Sequence, residues 1–82
     1  MEIGVEISLY PLADEYHAPI KVFLERLHAA AGLKVVTTSL STQIFGTYEA
    51  VFDALGREIR ATLGTLDRAV FVLKVFGPLA PP

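Results

Sequence analysis

"STQIFGTYEAVFDAL", Ser41–Leu55, changes its period half-way along. Up to Gly46 the side chains alternate as in a strand with two distinct faces. After Thr47 the apolar residues Val51, Phe52 and Leu55 recur at helical spacing. Thr47 suits the N-cap position, and Glu49 in the first turn complements the helix dipole. A strand that runs into a helix across a Gly-Thr pair is the unit from which the rest of the chain can be ordered.

Upstream, Glu2–Tyr10 alternates cleanly. Ile3, Val5, Ile7 and Leu9 fall on one face, and Glu6, Ser8 and Tyr10 on the other. Pro11 cannot donate to a ladder and ends that strand. Leu12–Ala18 reads as a loop, and Pro19 suits the first turn of a helix. Ile20, Phe23, Leu24, Leu27 and Ala31 form its apolar stripe, with Gly32 as a left-handed cap. Leu33–Leu40, rich in β-branched residues, predicts a second strand, and Ser41–Gly46 a third, with a hairpin near Leu40. The helix after Thr47 carries a stripe of Val51, Phe52, Leu55, Ile59, Leu63 and Leu66 and stops at Gly64. "AVFVLKVF", Ala69–Phe76, is a fourth strand.

The order β-α-β-β-α-β, with right-handed crossovers, predicts an α+β ferredoxin-like sandwich: a four-stranded antiparallel sheet with two helices on one face. We expect residues 1–76 to form one domain and 77–82 a proline-rich tail, loose or draped over a neighbour. The first and third strands are expected to be central and parallel. Tyr10 and Gly46-Thr47 would then meet on one side of the sheet, near both helix N-termini.

The chain has 82 residues, 52% of them apolar, and a mean hydropathy of +0.49. So small a domain has little interior in which to hide that surface. The last strand is apolar on both faces, through Val70, Val72 and Phe76 on one side and Phe71, Leu73 and Val75 on the other. Both sheet faces are therefore expected to be covered, the second by another copy of the chain. Seven basic and nine acidic residues, scattered without blocks, give a net charge of −2, which argues against a non-specific nucleic-acid binder. With no Cys, disulfides, thiolate metal sites and Cys nucleophiles are excluded. "MEIGVEISLY" has neither a basic n-region nor a long apolar run, so a cytoplasmic protein with no membrane partner is expected.

Catalytic signatures are missing: no Gly-rich phosphate loop, no HExxH and no recognisable Ser-His-Asp spacing. His17 and His28 stand too far apart along a helix to share a metal ion and read as solvated residues. We expect neither enzyme activity, nor a metal, nor a required cofactor. What remains is a polar set: Ser8 and Tyr10, the hydroxyls and amide from Thr37 to Gln43, then Tyr48 and Glu49. Hydroxyls and an amide give adjustable hydrogen bonds, aromatics stack, and a carboxylate attracts a cation or an amidine-like ring. The mixture suits a flat, partly cationic heteroaromatic ligand better than a phosphate. The plainer explanation is that Thr favours strands and Thr47 merely caps a helix.

"EISLYPL" (Glu6–Leu12), "GLKV" (Gly32–Val35) and "STQIFGTYEAV" (Ser41–Val51) together resemble the YkoF-like thiamine-binding proteins. The third-strand pattern of that family, Thr-x-Ile-x-Gly-x-[Trp/Tyr]-[Asp/Glu], is matched by Thr42, Ile44, Gly46, Tyr48 and Glu49. Two positions depart: Phe45 stands where many relatives are acidic, and Ser41 where Gly is common. The resemblance implies a ferredoxin-like fold and assembly into dimers or tetramers through the sheets. It also implies binding of thiamine or its hydroxymethylpyrimidine moiety, without catalysis.

The expected ligand site joins both readings. Glu6 or Glu49 would pair with an aminopyrimidine or offset a thiazolium charge. Tyr10, Phe45 or Tyr48 would stack on a ring, and Ser8, Thr38, Thr42 and Gln43 would supply hydrogen bonds. Two alternatives stay open. One is an assembly protein without a small ligand. The other is a small enzyme with an intersubunit site, for which Asp14, Glu15 and His17 are the candidate residues.

Overall fold

The computed structural model describes residues 1–80 and has the order β1 (Glu2–Pro11), α1 (His17–His28), β2 (Lys34–Thr37), β3 (Thr42–Thr47), α2 (Tyr48–Leu63), β4 (Ala69–Phe76). The four strands form one sheet in the order β2-β3-β1-β4, antiparallel at every pairing. This is the ferredoxin-like sandwich expected from the period changes. The alternation of β1 buries Ile3, Val5, Ile7 and Leu9 beneath Phe23 and Leu27 of α1 and Val51 and Leu55 of α2.

One expectation is overturned. β1 and β3 are central but antiparallel: Glu2 pairs with Thr47 and Ile7 with Thr42. The reason is topological. The α1 crossover returns β2 in the direction of β1, and the tight hairpin then reverses β3. Tyr10 and Thr47 therefore lie at opposite ends of the sheet, and the two helices begin at opposite ends as well.

Other differences are local. α1 starts at His17, inside the expected loop Leu12–Ala18, with Pro19 in its first turn as expected; it ends by Ala29, before Gly32, whose φ of 80° opens the turn into β2 instead. At its N-terminus the Glu15 carboxylate accepts from the backbone N–H groups of His17 (2.9 Å) and Ala18 (3.1 Å). β2 is half the length predicted. On α2 the buried line is Val51, Ala54, Leu55, Glu58 and Thr62, while Leu63 is exposed. Glu58 tolerates that burial because Arg26 of α1 and Arg57 both reach its carboxylate. Thr47 caps α2 as expected, its hydroxyl accepting from Ala50 N–H at 3.2 Å. The start of the tail is tied down, Leu79 N–H donating to the Glu2 carbonyl at 2.8 Å. Pro81 and Pro82, counted with that tail, lie outside the described residues.

Candidate functional site

β1 outruns β3. Its pairing with β3 stops at Ile7, whereas its pairing with β4 continues to Pro11. Beyond Ile7, the edge of β1 that faces β3 has no strand partner. The chain fills this space loosely with the β2–β3 hairpin. There the Thr38 hydroxyl accepts from Leu40 N–H (3.1 Å) and Ser41 N–H (3.2 Å), folding Thr38–Ser41 into a tight loop. A cavity of about 280 Å³ remains between hairpin, β1 and α1. Its apolar wall includes Ile20, Phe23 and Leu24, and its polar lining includes Ser8, Tyr10, Thr38 and Thr42. Leu40 stands at the lip, 94% exposed. No carboxylate lines it.

The expected site residues do not converge on one place. Four of them, Ser8, Tyr10, Thr38 and Thr42, share the hairpin-end cavity. Glu6, Gln43 and Phe45 lie on the open face of the sheet, beside Lys74 and Phe76, around a groove of about 270 Å³. The Phe45 ring rests on Gly4, where an added Cβ would come within 3.0 Å of it. Glu6 faces Lys74 at 3.7 Å. Gln43 Nε2 donates to Ser41 Oγ at 3.4 Å. Tyr48 and Glu49 sit at the far end. The Tyr48 ring packs on Phe52 (centroids 4.8 Å apart), its N–H donates to the Met1 carbonyl, and Glu49 occupies the first turn of α2.

Gly46 of the third-strand motif has a packing explanation, whereas Gly32 owes its place to its φ of 80°. A Cβ on Gly46 would lie 3.0 Å from Leu33 and 3.4 Å from both Val51 and the Gly32 carbonyl. The Gly32-Leu33 and Gly46 motifs are two sides of one close contact, far from the hairpin.

Sequence reasoning passed over one set of groups. A groove of about 840 Å³ runs along α1 beside the hairpin-end cavity and shares Ile20, Leu24 and Thr37 with it. His28, read as merely solvated, is exposed but hydrogen-bonded, its Nε2 2.9 Å from Thr37 Oγ1. Thr37 Oγ1 is in turn 3.2 Å from Thr42 Oγ1, which is buried. The signal lay in pairing Thr37 with Thr42 across the hairpin, which puts both hydroxyls on the helix face. Of the residues considered for an enzyme, Glu15 caps α1, and the His17 ring lies against Tyr16, with centroids 4.2 Å apart. Among the described residues no group of three His, Asp or Glu could hold a metal ion.

The family model described as "YKOF-related Family" matches residues 2–68. The chain belongs to that family. Its YKOF-related fold is shared with solved structures of low identity. A hypothetical protein of Methanocaldococcus jannascii is 23% identical, with a TM-score of 0.81 over 99% of this chain and 84% of its own. A Thermotoga maritima protein described as a candidate for thiamine biosynthesis or salvage is 20% identical, with a TM-score of 0.84 over 95% of this chain and 85% of its own. A domain of unknown function from Bacillus cereus is 14% identical, with a TM-score of 0.78 over 95% and 77%. No curated protein matches the chain. No helix among the described residues is long and apolar enough to cross a membrane.

Proposed function

We propose that this YKOF-related protein is a non-enzymatic, cytoplasmic binder of thiamine or its hydroxymethylpyrimidine moiety, working as a dimer or tetramer. The observation that carries the reading is the bare edge of β1 beside a hydroxyl-lined cavity. Backbone N–H and C=O groups away from a ladder need partners. A flat ring with donors and acceptors at its rim can lie in the place of the missing strand, with Ser8, Thr38 and Thr42 adjusting to it and Tyr10 available for stacking. The lack of a carboxylate in that cavity suits a neutral aminopyrimidine. A thiazolium would fall toward the α1 groove, where Glu15 and Glu25 are at hand. The Thermotoga maritima neighbour supports the choice of ligand class.

Titration calorimetry against thiamine, hydroxymethylpyrimidine and unrelated heterocycles tests this. Heat from the first two alone is expected, and none above the control heterocycles would defeat the ligand claim.

Self-association draws on the open face. The described chain exposes 5626 Å², whereas a folded monomer of 8.9 kDa should expose ~4,800 Å². The surplus is close to the ~800 Å² that each partner hides in a standard interface. Exposed Val70, Val72 and Phe76 lie on the uncovered sheet face, Phe76 at 72%. These residues equally favour the second reading, an assembly protein without a small ligand. Light scattering of Val72→Lys distinguishes the roles of face and cavity: dissociation with thiamine binding retained is expected.

A further inference from the structure

His28, Thr37 and Thr42 form a chain of hydrogen bonds with one exposed end and one buried end. Among the described residues neither threonine hydroxyl has another hydrogen-bond partner. Each hydroxyl has a single proton, so Thr37 can donate to His28 or to Thr42 but not to both. If His28 Nε2 donates, Thr37 can turn its proton to Thr42, which frees the Thr42 proton to point into the hairpin-end cavity. If Nε2 is bare, Thr37 can donate to it and accept from Thr42. Thr42 then offers the cavity only lone pairs.

We propose that His28 is a positioning residue that sets, through Thr37, whether Thr42 presents a proton or an acceptor to a bound ring. A protonated imidazole can only donate, so it removes the acceptor for the Thr37 proton and favours Thr42 as a donor to the cavity. A neutral imidazole carrying its proton on Nδ1 allows the opposite polarity. Of the charged and titratable groups lining the groove, Glu25 is one helical turn from His28, Lys21 lies further along α1, and His17 and Glu15 lie at the opposite end of the helix; β2 contributes only the Thr37 hydroxyl. The cavity thereby discriminates by hydrogen-bond polarity. An amino group on the ring needs an acceptor from Thr42, whereas a ring carbonyl at the same position needs a donor.

The inference rests on the binding reading above, and two measurements keep their outcomes apart. In calorimetry, the preference for a 4-aminopyrimidine over the matching pyrimidin-4-one should rise roughly tenfold from pH 5.5 to pH 8, the scale of one mismatched buried hydrogen bond. The rise should vanish in Thr37→Val and His28→Phe, where any protonation of the ring itself remains unchanged. An equal rise in both variants overturns the inference. If neither ring binds at any pH, the binding reading falls, and the relay is judged without ligand. Nitrogen-15 spectra of the His28 ring should then show Thr42→Val shifting the tautomer balance of the neutral ring. A tautomer balance indifferent to Thr42→Val overturns the relay.

Discussion

The two ends of the sheet use similar residues differently. At the far end every conspicuous group is consumed by the fold: Gly46 admits Leu33, Thr47 caps α2, Tyr48 stacks on Phe52, and the Tyr48 N–H meets Met1. At the hairpin end β1 extends past its neighbour, and hydroxyls surround a cavity that nothing in the chain fills. The contrast teaches that a motif prominent in sequence can be architectural, and that a place for a ligand is better recognised where backbone and hydroxyl capacity is left over.

Substitutions can break that division, and the largest effect is expected at the architectural end. Gly46→Val forces a side chain into Leu33 and Val51, and should cost up to about 3 kcal/mol in denaturant unfolding while leaving affinity per folded molecule unchanged. Thr38→Val removes the acceptor for two hairpin N–H groups. It should cost on the order of 1–2 kcal/mol and also weaken thiamine binding, so a stability loss with intact affinity would move the site away from the hairpin. Thr47→Ala should lower stability by about 1 kcal/mol through loss of the cap and leave calorimetric binding as it was. Glu49→Gln should be the mildest, about 0.5 kcal/mol from the helix dipole, again without effect on binding. A tenfold loss of affinity in any of the three far-end variants would erase the distinction between the ends.

The sequence carried the element types because the period switches at Pro11, Gly32 and Gly46 are sharp, and element order with crossover handedness was enough for the sandwich and its two central strands but not for their relative direction. Its polar residues did not reveal where they would meet. That depends on strand direction and register: Ile7 opposite Thr42 decides that Ser8 and Tyr10 lie beside the hairpin and that Tyr48 and Glu49 lie far from it. Face assignment was legible on β1, where alternation is strict. It was misleading on α2, where Glu58 and Thr62 are buried in place of Leu63 because Arg26, on another helix, makes the buried carboxylate tolerable. His28 was opaque for the same reason, since its partner Thr37 lies on another element.

The pairing of β1 with β4 has a temporal consequence. Gly4 lies opposite Phe76, so one of the two strands paired with β1 is the last of the four to leave the ribosome. Contacts between such distant parts of the chain are slow to close. Until Phe76 emerges, the nascent polypeptide carries a half-dressed central strand, and synthesis halted before β4 should yield a protease-sensitive product.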